Sequence, residues 1–181
     1  MIPGQLITKE QRMAQFGGSV SGKLSTCIEK FQRNSIEKHT GLTCEKTNIR
    51  IHLGRNELTE CRRPLDHLDG FEYTEDFDGV QKTENEKIFI NLKSVCGAGG
   101  SQTRTLREVY HFIHGQCKCL EQKNQSVYFA NILDGDQAHR RMPLLKNALT
   151  HYDPEVQKRI YIGDLNSYFK WFNCIVRRDT E

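Results

Sequence analysis

Along residues 87–93, Ile88, Ile90 and Leu92 alternate with Phe89, Asn91 and Lys93. A period of two predicts a strand over 87–94 and puts Asn91 and Lys93 on the same face. Residues 48–54 alternate in the same way and predict an earlier strand. Phe71, Tyr73 and Phe77, set against Glu72, Thr74, Asp76 and Asp78, predict another. Between these, the polar residues 55–68 read as loop and residues 79–86 as a rather long hairpin-type turn. A period near 3.6 marks the helices. Residues 5–16 allow a short amphipathic helix that Gly17-Gly18 breaks. Residues 23–38 predict a second, with Leu24, Ile28, Phe31 and Ser35/Ile36 on one side and Gly41 as its stop. Past the break at 96–100, Ser101 is the expected N-cap of a helix running to about Gln122, with Leu106, Val109/Tyr110, Ile113, Cys117 and Leu120 as its stripe. Residues 126–133 predict a largely buried strand, 138–150 a helix, 159–162 a short strand and 165–172 a final helix.

The order is helix, three strands, helix, strand, then further elements. Short connections make the three strands an antiparallel meander, and the strand–helix–strand step after Lys93 is long enough for a right-handed crossover. The expected fold class is α/β: a mixed central sheet, antiparallel meander plus a parallel strand after the crossover helix, flanked by helices. One domain is expected over 1–181, with its core at about 20–133 and a C-terminal appendage at about 134–181.

Composition narrows the setting. Hydrophobic residues make up 36% of the 181 and charged residues 27%, which suits a globular protein, and no apolar run approaches the roughly 20 residues of a membrane helix. The first residues lack the pattern of a secretory signal, and the seven cysteines form no regular framework, so an intracellular, cytoplasmic setting is expected. The net charge of +3 is unevenly spread. Residues 57–92 hold ten acidic and four basic groups, whereas 1–56 hold nine basic and four acidic and 93–181 thirteen basic and nine acidic. An acidic centre between basic flanks fits a metal site within a polyanion-binding frame.

Candidate chemistry gathers in that centre. A hairpin can set Asp78 beside Asn91, and Lys93 follows on the Asn91 face. Hydrolysis of a phosphodiester needs a cation, a positioned water and stabilisation of developing charge. Magnesium takes oxygen ligands, commonly only one or two from carboxylates. Asp78 supplies charge, the Asn91 amide and the Leu92 carbonyl supply neutral oxygens, and Lys93 orients water and steadies the phosphorane. Asp76 and Asp69 are alternatives to Asp78 as the carboxylate, and Glu72 is a further one. Glu29 on the second helix also comes within consideration.

Asp78…Asn91-Leu92-Lys93, set on this order of elements, resembles the PD-(D/E)XK nuclease superfamily, which includes most type II restriction endonucleases. The resemblance covers roughly residues 20–133. It departs where Asn91 replaces the second acid and where no proline precedes Asp78. It implies a magnesium-dependent endonuclease that cuts double-stranded DNA at a short specific sequence, with Asp78, Asn91 and Lys93 as catalytic residues and Asp78, Asn91 and Leu92 at the metal. It further implies a homodimer and a companion DNA methyltransferase. Glu108 is a candidate displaced acid that compensates for Asn91.

Ser101, Gln102, Thr103, Arg104 and Arg107 open the helix after the glycine run, where backbone N–H groups favour phosphate, and are candidate DNA contacts. Arg140 and Arg141 are a further basic pair. Gly17 to Lys23 nearly matches a phosphate-binding loop but has Leu24 where Ser or Thr is needed and no strand leading in. His111, His114, Cys117 and Cys119 do not converge as zinc ligands on one helix, so core cysteines and partly buried histidines are expected.

Overall fold

The computed structural model describes residues 9–16, 21–60, 72–122 and 126–178. In chain order they form α1 (Lys9–Phe16), α2 (Ser21–Thr40), β1 (Ile49–His52), β2 (Glu57–Glu60), β3 (Gly79–Lys82) and β4 (Lys87–Ser94). Then follow α3 (Gly100–Glu121), β5 (Val127–Asp134), α4 (Asp136–Asn147), a 3-10 turn (Ala148–His151), α5 (Pro154–Gln157), β6 (Ile160–Gly163) and α6 (Leu165–Arg178).

The fold is mixed α/β. Four strands form one sheet in the order β3-β4-β5-β6, with β3 antiparallel to β4 and with β4, β5 and β6 parallel. The parallel step from β4 to β5 needs a crossover, and α3 supplies it. Alternation along β4 decides which layer each residue joins. Ile88, Ile90 and Leu92 pack with Ile36 of α2 and with Leu165, Tyr168, Phe172 and Ile175 of α6. Phe89 faces the other way, into a cluster with Phe77, Phe129 and apolar residues of α3 and α4. At its centre Phe77 lies 4.8 Å from Phe112 and 5.2 Å from Phe89, ring centre to ring centre. Such packed rings contribute beyond the area they bury. Helices thus flank both faces.

The strand predicted around Tyr73 and Phe77 is not regular. Residues 72–77 run along β1 by separate hydrogen bonds, Leu53 N to Glu72 O at 2.6 Å, Thr74 N to Ile51 O at 2.9 Å and Phe77 N to Ile49 O at 2.9 Å. The regular strand beside β4 is β3, inside the stretch read as turn. Its residue Gln81 is fully buried, which polarity argued against. Gln81 is satisfied at long range, donating to Thr40 Oγ1 and Leu42 O and accepting from the Tyr168 hydroxyl at 2.7 Å. β2 also lies where loop was expected, because only Leu58 among Glu57–Glu60 is apolar. It pairs with β1 through a turn at 53–56, where Asn56 takes φ 54°.

The helix stop at Gly41 is borne out, with φ 73° and an N–H bonded to Glu37 O. Ser101 is not the N-cap of α3. The helix starts two residues earlier, at Gly100, Gly99 is the cap, and no side chain caps it. The segment after 134, expected as an appendage, is built into the sheet through β6 and into the α2 side of the core through α6. Gly135 joins β5 to α4 at φ 104°, with a Cβ position only 2.4 Å from Val95 O, so only glycine fits. Gly17, Gly18, Asp69 and Phe71 lie outside the described residues. Among the described residues no helix is long and apolar enough to cross a membrane, and the six described cysteines are unbridged.

Candidate functional site

The site forms where β3 leaves β4. Their ladder starts at Gly79 opposite Ile90, and upstream of it the chain turns away toward β1. On that edge the Leu92 N–H is taken by a side chain, with Asp78 Oδ2 accepting it at 2.7 Å. Two contacts fix Asp78. A Cβ at Gly79 would stand 2.6 Å from Cys44 Sγ, so glycine lets the strand approach closely. From α2, Arg33 Nη1 donates to the Asp78 carbonyl at 3.3 Å.

Lys93 follows Leu92, on the side of the sheet that α3 covers. Its Nζ lies 3.0 Å from Glu75 Oε2 and 3.9 Å from Asp78 Oδ2. Burial raises the Asp78 pKa to about 6; Lys93 and the Leu92 N–H oppose the rise, and Glu29 and Glu75 add to it. For Lys93, burial pulls downward, but Asp78, Glu75 and Glu29 together outweigh it and hold the ammonium above its usual range. The site is therefore a half-buried ammonium beside two carboxylates, with the charge of Glu29 acting from α2, and one of the carboxylates is costly to ionise until more positive charge arrives.

Sequence reasoning brought Asp78 and Lys93 together, and Glu29 acts on both from α2. Asn91 shares the Lys93 face but is 1% exposed, and its Nδ2 donates to Asn131 Oδ1 at 3.2 Å. Leu92 gives Asp78 its N–H rather than its carbonyl. Asp76 is paired with Arg50, Nε to Oδ1 2.6 Å. Glu72 lies against His52 Nε2 at 3.3 Å. Glu108 borders a cavity of about 300 Å³ that Glu75, Asn91 and Lys93 also border. Glu75 was not foreseen. It sits in an irregular segment, so no periodicity pointed it at Lys93.

Ser101, Thr103, Arg104 and Arg107 are exposed on the first turns of α3, with Gln102 partly so. Ser101 Oγ donates to Gln102 Oε1, and Thr103 Oγ1 to Gly99 O. Arg140 and Arg141 are exposed on α4. Among the described residues none of these four arginines makes an ion pair. His114 bonds to the Tyr152 hydroxyl at 2.6 Å, and burial pushes the Cys117 thiol up to about 12, as expected of core groups and not of zinc ligands.

Among the described residues no group of three or more His, Cys, Asp or Glu side chains stands close enough to hold a metal ion. Magnesium needs fewer, since water and phosphate oxygens fill most of its positions. Asp78, with Glu29 or Glu75, offers hard oxygen donors of the right kind, and a cation relieves the strain of their mutual repulsion. No family model, curated protein or solved structure matches the chain. Fold and site together define a mixed α/β protein with a lysine–carboxylate cluster at the carboxyl end of its central strand.

Proposed function

We propose that the chain is a magnesium-dependent endonuclease, restriction-endonuclease-like, that hydrolyses phosphodiester bonds in double-stranded DNA at a short specific sequence. The observation that carries the reading is Lys93 Nζ, 3.9 Å from Asp78 Oδ2 at the end of a strand with one antiparallel and one parallel neighbour. The order helix, antiparallel strands, crossover helix, parallel strand supports the restriction-endonuclease-like fold. Cutting both strands of a palindrome supports a homodimer, and a companion DNA methyltransferase follows from the same reading.

The chain's own groups have separable roles. Asp78 and Glu29 would hold magnesium, which would supply charge neutralisation at the phosphate and a more acidic water. Lys93 is protonated and therefore acts as a cation: it orients the attacking water and stabilises the negative charge on the phosphoryl oxygens. Glu75, 65% exposed, holds the ammonium in place and swings off when a phosphate arrives. Arg104 and Arg107 face solvent at the start of α3 and supply phosphate contacts.

A second reading, a non-catalytic nucleic-acid-binding module, draws support from Asn91, which replaces an acid and is tied into the core. Digestion of plasmid DNA with magnesium or with chelator, followed by mapping of the ends, separates the readings. Discrete, magnesium-dependent fragments are expected. A smear points to a structure-specific or RNA-directed nuclease of the same fold, and binding with no cutting selects the module.

A further inference from the structure

A chain of amides crosses the α3 face of the sheet and ends at the cavity beside Lys93. Its polarity is fixed at one end. The Tyr161 carbonyl can only accept, so Asn131 must turn its Nδ2 toward it, at 3.4 Å. Asn131 Oδ1 then faces Asn91 and demands a donor, which Asn91 Nδ2 supplies at 3.2 Å. Gln116 of α3 locks the arrangement by a double bond pair with Asn131, at 2.7 and 3.0 Å. All three amides are essentially fully buried. The consequence falls on Asn91 Oδ1. With its nitrogen committed, this oxygen is left to the cavity and has no hydrogen-bond partner among the described residues.

The cavity of about 300 Å³ has the chemistry of a base pocket. Tyr73, Phe112 and Val109 give it apolar walls, Asn91 and Glu108 give it acceptors, and the donors of Lys93 and Thr74 are taken up by Glu75. Asn91 Oδ1 and the exposed Glu108 carboxylate have no protein donor among the described residues, so an occupant that brings donors gains hydrogen bonds there. Its volume suits a nucleobase with part of its sugar. A base in a stacked duplex cannot enter a cleft that opens beside the group acting on the phosphate. We propose that this cavity takes an unstacked nucleobase next to the scissile phosphate, and that its acceptors select a base carrying an exocyclic amine, cytosine, adenine or guanine, over thymine. The proposal rests on the nuclease reading and adds a specificity element to it.

The test is an NMR titration of the full chain, without magnesium, following the aromatic resonances of Tyr73, His111 and Phe112. The probes are deoxycytidine, deoxyadenosine and thymidine monophosphates and deoxyribose 5-phosphate. The first two should move these resonances, with thymidine monophosphate about tenfold weaker and deoxyribose phosphate silent. Glu108→Gln, at an exposed helix position, should narrow the gap by offering thymine a donor. Equal binding of thymidine monophosphate, equal shifts from deoxyribose phosphate, or no shift with any nucleotide overturns the proposal. Magnesium-dependent cleavage is scored separately, so a protein that cuts DNA yet fails this titration loses the base pocket and keeps the nuclease.

Discussion

Asp78, partly buried, and Asp134, buried, are two carboxylates near the rim of one sheet, and their surroundings differ in one respect that matters. Both pKa values are raised, in each case chiefly by burial. Asp134 ends β5 and is fully engaged inside the protein. Gln32 Nε2 donates to its Oδ2 at 2.8 Å and Leu165 N to its Oδ1 at 3.3 Å, so it ties α2 and α6 to the strand. Asp78 accepts one backbone N–H and otherwise faces an ammonium and two more carboxylates. A buried acid with neutral donors on both oxygens is a structural joint. A partly buried acid crowded by other acids, with one cation among them, is short of positive charge, and that shortage gives it a use.

The comparison breaks most sharply at the cation. Lys93→Ala should reduce cleavage by about 10³-fold, roughly 4 kcal/mol in the barrier, with little change in thermal stability. A Lys93→Ala protein that cuts at the wild-type rate removes the site. Asn91→Asp tests whether Asn91 belongs with the site or with the core. An added carboxylate oxygen would face Asn131 Oδ1 where an N–H now donates, so the variant should lose about 3 kcal/mol in denaturant melts. An Asn91→Asp chain of unchanged stability shows the amide chain to be slack.

Acid–base linkage sharpens the contrast. Folding raises the Asp78 pKa from 3.8 to about 6, so the folded chain holds a proton there that the unfolded chain releases. Stability from this group is present in full below pH 4 and is lost as pH rises through about 6, by on the order of 3 kcal/mol. Asp78→Asn should flatten that fall and be more stable than wild type at neutral pH, while losing cleavage. Wild-type cleavage should weaken as pH falls, because protons compete with the cation for the Asp78 carboxylate. Asp134→Ala should do the reverse. It strands the Gln32 amide and the Leu165 N–H, costing about 2 kcal/mol of stability and sparing the chemistry. The smallest effect is expected at α3: Arg104→Ala should weaken DNA binding by about 1 kcal/mol and lower the salt slope by about one.

How much of this the sequence could reveal depended on whether a residue's environment is local. β4 was legible to the residue, because Ile88, Ile90 and Leu92 meet one apolar layer and Phe89 the other. α3, β5 and the Gly41 stop were legible for similar reasons, since their signals lie within one window. β3 was not, because Gln81 is buried against partners some forty and eighty-seven positions away. The Asp78–Lys93 pairing was legible as hairpin geometry, although the hairpin begins at Gly79 and not earlier. Glu75 was hidden by an irregular segment. Asn91 read as a ligand from its face alone, and only Asn131 and Gln116, on other elements, show what holds it.

The central claim is that Asp78 serves chemistry while Asp134 serves architecture. Initial rates of magnesium-dependent plasmid cleavage, scaled to the folded fraction, measured side by side for Asp78→Asn and Asp134→Ala, test it most directly. The account predicts a folded, inactive Asp78→Asn and an Asp134→Ala that cuts at nearly the wild-type rate per folded molecule. Cleavage retained in Asp78→Asn, or lost only in Asp134→Ala, would contradict it.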